Sequence, residues 1–183
     1  GYSSQSHTTG FGGTSGATPI VAGHNAIAIH MFTDFIFGNT PRMPSGSRFQ
    51  NRPHFTTLKA LMIVGATQYP FTGSSSDNKR EHQGWGFPDL KTLYDNRDNM
   101  ILVDETDILT QGQTQTYNVK VLSNTPELKV AMNYSDPAGN PAVTKTLVND
   151  LTLKVTDPSG TSYWGNAGLT QGNYSTAGGS ADT

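Results

Sequence analysis

The chain has no cysteine, few charges and no long uninterrupted apolar run. Without cysteine there is no disulfide scaffold and no thiolate metal site. Twelve Lys and Arg stand against fourteen Asp and Glu, for a formal net charge of −2. No basic patch emerges from that balance, which argues against nucleic acid or an anionic membrane as partner. The nearest approach to a membrane span, residues 17–37, is interrupted by His24, Asn25, His30 and Asp34. An initiator Met and a signal sequence are also lacking, so a chain opening on Gly1 is expected to be a processed or excerpted piece of a longer polypeptide. Its 183 residues allow one domain or two small ones.

What is present is Gly, Ser, Thr and Asn, and one informative window. Gly12-Gly13-Thr14-Ser15-Gly16-Ala17-Thr18-Pro19-Ile20-Val21-Ala22-Gly23 is a glycine-rich turn, then a serine, then an apolar run of helical character. It places a nucleophile-capable hydroxyl at a helix N-terminus. Unpaired N–H groups and about half a positive charge gather there, and an oxyanion formed beside the serine is stabilised. Small residues before the serine let a substrate backbone approach. Two other readings compete. A Thr-Ser pair before an apolar helix is often only an N-cap. A Gly-x-Ser-x-Gly elbow is the other, but its last position is Ala17 here, and the preceding residues 3–9 are polar rather than an apolar strand.

The window resembles the nucleophile motif of the subtilases, the subtilisin-like serine proteases, at Gly13, Thr14, Ser15, Ala17, Thr18, Pro19, Val21, Ala22 and Gly23. It departs where the family usually has Met, here Gly16, and where it usually has His, here Ile20. The resemblance implies that Ser15 is an acyl-forming nucleophile, with Gly13, Thr14 and Gly16 around the oxyanion and the substrate. It implies a secreted endopeptidase acting on a protein or peptide, with no cofactor for catalysis. It also implies that the Asp, the His and the oxyanion Asn, which precede the serine in the family, lie on a complementary segment or chain.

Two halves differ in period. Residues 1–97 read as helices and loops, the first helix over 15–35 and the second over 56–66. The first is apolar nearly all the way round, which predicts burial on most sides. His24 and His30 on it read as packed, hydrogen-bonded histidines. Lys59-Ala60-Leu61-Met62 fits the helix that follows the serine helix in subtilases. Gly84-Trp85-Gly86 resembles the segment that closes their catalytic domain before a last short helix, here 89–94. No strand run in 1–97 can cover the two apolar helices, which predicts that the chain folds only against a complementary polypeptide supplying a parallel sheet.

From Met100 the period becomes two: Tyr117, Val119, Val121; then Leu128, Val130, Met132, Tyr134; then Leu151, Leu153, Val155. Turn signals at 124–126, 135–139 and 157–160 separate these runs, which suggests an antiparallel sandwich or jelly roll. Residues 133–137, 147–151, 157–160 and 163–166 look like the C-terminal β-domain of larger bacterial subtilases. The expected fold is thus the C-terminal, helical part of an α/β three-layer parallel-sheet domain (1–97) followed by a partial all-β jelly roll or sandwich (98–183). Asp136, Asn149, Asp150 and Asp157, with Asn166, form an oxygen-rich set suited to a structural calcium ion, although Asp and Asn also dominate ordinary turns.

Three functions stay open on these grounds: a serine endopeptidase completed by an upstream segment, a non-catalytic β-sandwich binding module with a relic serine motif, and an esterase with its own downstream triad. Ser15, Asp77 and His82 have the order for that last arrangement but nothing in the sequence that positions them.

Overall fold

The computed structural model describes residues 12–70, 80–170 and 172–181. The first helix, α1, spans Thr14–Thr33. Gly13 is its N-cap, at φ 78, a conformation open to glycine and strained for other residues. The N–H groups of Gly16 and Ala17 both donate to the Gly13 carbonyl, at 3.0 and 3.1 Å. Pro19 lies inside the helix and has no N–H to offer the Ser15 carbonyl. The Thr18 hydroxyl donates to the Thr14 carbonyl at 2.8 Å and braces the same turn. At the other end Phe35 takes a left-handed conformation, φ 57, which stops the helix.

Helix α2, Phe55–Val64, packs on α1 and carries Leu61 into the core. Strand β1, Ala66–Thr67, follows it. The short helix α3, Arg80–Gln83, leads to β2, Phe87–Pro88, which pairs antiparallel with β1. Gly86 makes that pairing possible, since a Cβ there would stand 2.5 Å from the Thr67 carbonyl oxygen. Helix α4, Leu90–Asp95, opens on Asp89, whose carboxylate accepts from the Lys91 and Thr92 N–H groups at 2.9 and 3.1 Å. Such a cap is the reason a six-residue helix starts here. One turn of 3-10 helix, Arg97–Asn99, ends the helical half.

Phe32, Phe37, Leu61 and Leu93 form the core, with Met31, Met62, Val64, Leu90, Met100 and Leu102 against it. α1 buries only Gly16, Ala28, Phe32 and Thr33. Ile20 and Ile27 are 45% and 54% exposed, where the sequence predicts burial on most sides of the helix. The physical reason is that nothing large enough to cover them is present among the described residues. The described residues contain two sheets, each two-stranded and antiparallel, and neither is large enough to cover a helix of this length.

In the second half the period-two runs predict an antiparallel sandwich or jelly roll. The described residues there form one hairpin, β3 (Lys154–Thr156) with β4 (Ser162–Trp164), in the register Val155 opposite Tyr163. The turn signal at 157–160 falls at its tip, where Gly160, φ 91, donates to the Asp157 carbonyl at 3.0 Å. Residues 101–153 run without a paired strand, and Tyr117, Val119, Val121, Leu128, Val130 and Met132 are exposed. Alternation gives each run an apolar face, but a face is stabilised only against a second layer.

Leu93 is 2% exposed, so Leu93→Ala is expected to lower unfolding stability by about 2–5 kcal/mol in a denaturant titration. Val119, 48% exposed, is expected to tolerate Val119→Ala within about 0.5 kcal/mol. A loss at Val119 comparable to that at Leu93 would place it in a buried sandwich instead.

Candidate active site

Ser15 occupies the second position of α1, and both it and Thr14 are exposed, while Gly16 beside them is buried. The cap is Gly13, with no side-chain hydrogen bond, so neither hydroxyl is consumed as an N-cap. The Thr14 and Ser15 N–H groups have no partner among the described residues, whereas those of Gly16 and Ala17 are taken by Gly13. Two free donors and a free hydroxyl therefore share one end of a twenty-residue helix, the arrangement that receives developing negative charge. A shallow groove of ≈ 410 Å³ runs from this end along Thr14, Ala17, Thr18, Val21, Ala22 and Asn25, positions spaced to share one face. Asn25 Oδ1 is buried without a hydrogen-bond partner.

The α1 imidazoles are held away from Ser15. His24 Nδ1 donates to the Ile20 carbonyl at 2.7 Å, and its ring meets Phe87 edge-on with centroids 5.5 Å apart. It lies nine residues from Ser15, roughly 13 Å of helix rise. His30 lies farther still, roughly 22 Å along the axis. Its Nε2 is 3.1 Å from Asp34 and 3.0 Å from Arg48. Both are hydrogen-bonded as expected, but only His24 is partly buried; the His30 side chain is 60% exposed and pairs on the surface rather than packing. Of the downstream set, His82 lies on α3, with Glu81 at 4.0 Å, and Asp77 falls outside the described residues. His7 and the polar run before Ser15 also fall outside them. Trp85 is exposed, with the Arg80 guanidinium 3.8 Å over its ring.

A second polar constellation lies outside the residues that the sequence singles out. Asp104 sits at the N-terminus of α2, fifty residues from His54. Its carboxylate accepts from the His54 N–H at 3.2 Å, from the Thr57 hydroxyl at 2.5 Å and from Arg42 Nη2 at 2.7 Å. His54 Nδ1 stands 3.2 Å from the same carboxylate, and Glu105 accepts from the Thr56 hydroxyl. Burial pushes the Asp104 carboxyl up. The bonds from Thr57, Arg42 and the His54 N–H, with the adjacent imidazole, outweigh that and hold it below the ordinary carboxylate range. The signal that could have found it is an Asp-Glu pair shortly after the last helix, facing a helix start with no acidic residue of its own.

The oxygen-rich set does not meet at one point. Asp136 accepts from the Val148 N–H at 2.9 Å and from the Asn149 N–H and side-chain amide at 2.8 and 3.0 Å. Asp150 pairs with Lys145 at 2.8 Å. Asp157 closes its own turn by accepting from Ser159 and Thr161. Among the described residues no three His, Asp or Glu side chains converge. No described helix is long and apolar enough to cross a membrane.

No protein-family model, curated protein or solved structure matches the chain.

Asp104→Asn is expected to cost about 1–3 kcal/mol near neutral pH, because it weakens bonds to partly buried donors. The carboxyl titrates lower in the folded chain than in the unfolded one. Its contribution is therefore complete above about pH 4 and fades as pH falls through the folded value. The stability curves of the two proteins should converge in acid, and a gap that stays constant there would remove Asp104's charge from the account.

Proposed function

We propose that the chain is the serine-bearing part of a subtilisin-like endopeptidase, acting on protein or peptide substrates outside the cell. The observation that carries this reading is the start of α1: an exposed Ser15 hydroxyl beside two N–H groups that have no partner among the described residues, with glycine rather than serine as the cap. In this reading Ser15 attacks the scissile carbonyl and forms an acyl-enzyme. Its own N–H, with that of Thr14 nearby, faces the oxyanion. The proton acceptor is an imidazole outside this chain's α1 histidines, which are engaged elsewhere. A complementary polypeptide carries that His, its orienting Asp and an oxyanion Asn, and its parallel sheet covers the exposed face that includes Ile20, Val21 and Ile27. Each such side chain gains on the order of 1.5–3 kcal/mol when fully buried, so the cover contributes to folding as well as to catalysis.

Recombination of this chain with an upstream subtilase segment, followed by a fluorophosphonate probe, is expected to label Ser15 and no other residue. Ser15→Ala should keep the fold and lower kcat on the order of a millionfold, the scale known for the subtilisin nucleophile. Labelling elsewhere, or more than a few per cent of activity left in Ser15→Ala, sinks the reading. Gly16 leaves nothing to oxidise beside the nucleophile. Gly16→Met is expected to make the assembled enzyme lose activity in mild peroxide, and equal tolerance in both forms would count against that role.

A further inference from the structure

Arg42 Nη2 lies 2.7 Å from Asp104 Oδ2, 3.1 Å from the Arg52 carbonyl and 3.1 Å from His54 Nδ1. This nitrogen has two hydrogens. If Nδ1 carried a lone pair, three acceptors would compete for them. Nδ1 is also 3.2 Å from Asp104 Oδ1, an ionised acceptor with no hydrogen of its own. A lone pair there would face a carboxylate across an empty gap. A proton on Nδ1 removes both conflicts. Nδ1–H then donates to Asp104 Oδ1, and the two Arg42 hydrogens go to Asp104 Oδ2 and the Arg52 carbonyl. His54 Nε2 has no hydrogen-bond partner among the described residues, and the side chain is 36% exposed, so this nitrogen can exchange a proton with solvent.

We propose that Asp104 fixes neutral His54 as its Nδ1–H tautomer, and that a second proton on Nε2 tightens a latch fastening residues 100–105 to the N-terminus of α2. The charged groups facing His54 are Arg42 from the preceding loop and Asp104 and Glu105 from the strap. Glu105 Oε2 is 3.8 Å from Nδ1. Arg42, Asp104 and Glu105 together carry a net −1, and the imidazolium brings the cluster to zero. Glu105 also holds a left-handed backbone, φ 53, which is strained for a residue with a side chain and persists only while its surroundings hold it. The bond from Thr56 to its carboxylate is such a hold. The strap is continuous with the core through Met100 and Leu102. A proton on Nε2 therefore strengthens the grip, and the grip fails in acid strong enough to protonate Asp104 itself.

The test is hydrogen exchange by mass spectrometry on the full chain, with any co-purifying polypeptide left in place. After correction for intrinsic exchange, peptides over 54–60 and 100–108 are expected to slow several-fold between pH 8 and pH 5.5, and His54→Gln should abolish that dependence. Nitrogen-15 spectra of the unmutated chain should show neutral His54 protonated on Nδ1, with Asp104→Asn releasing it to the mixture of a free imidazole. A neutral His54 carrying its proton on Nε2 overturns the proposal, as does a pH response that His54→Gln leaves intact. The tautomer is read without mutation, so the proposal stays decidable if either variant fails to fold.

Discussion

Leu93 lies so close to Gly65 that any Cβ at that glycine would meet its Cγ at 2.5 Å. This contact sets the distance between the end of α2 and α4, and Phe32 and Phe37 close over it from the end of α1. With Gly65 fixed, β1 begins at once and meets β2 one residue after Gly86. The Asp89 cap then fixes where α4 starts. Larger side chains at Gly65 or Gly86 would push apart backbone segments that have no other means of approach, and cores tolerate added volume poorly.

The same core reaches the second half through polar chemistry. Met100 and Leu102 pack on it, and Asp104 and Glu105 then turn the chain onto the open end of α2. His54, as the α2 N-cap, provides no side-chain cap of its own. The His54 N–H and the Thr56 and Thr57 hydroxyls at that helix start are met from a distant stretch, so the helix start and the strap hold each other.

Local features were legible in the sequence because short-range chemistry decides them. Gly13 opening α1, Asp89 opening α4, and the Asp157-Pro158-Ser159-Gly160 turn each carry a residue whose own side chain or backbone freedom sets the geometry. The helix bounds fall within two residues of expectation for the same reason. Period-two patterning in 114–134 told which side chains share a face but not what lies opposite, and here those faces are open. The His54–Asp104 pair was not legible because fifty positions of chain must fold before the two residues meet. Asp136 and Asp157, weighed as calcium ligands, satisfy the nearer need of turn N–H groups.

Pro19 has a consequence for motion. By withholding an N–H from the Ser15 carbonyl, it removes one rung from a ladder that is otherwise continuous through α1. The end that presents Ser15 is thereby the part of the helix that frays with least loss, since a terminal turn has fewer bonds to break than an interior one. The Thr18 hydroxyl, bonded to the Thr14 carbonyl, opposes that fraying from within the same turn.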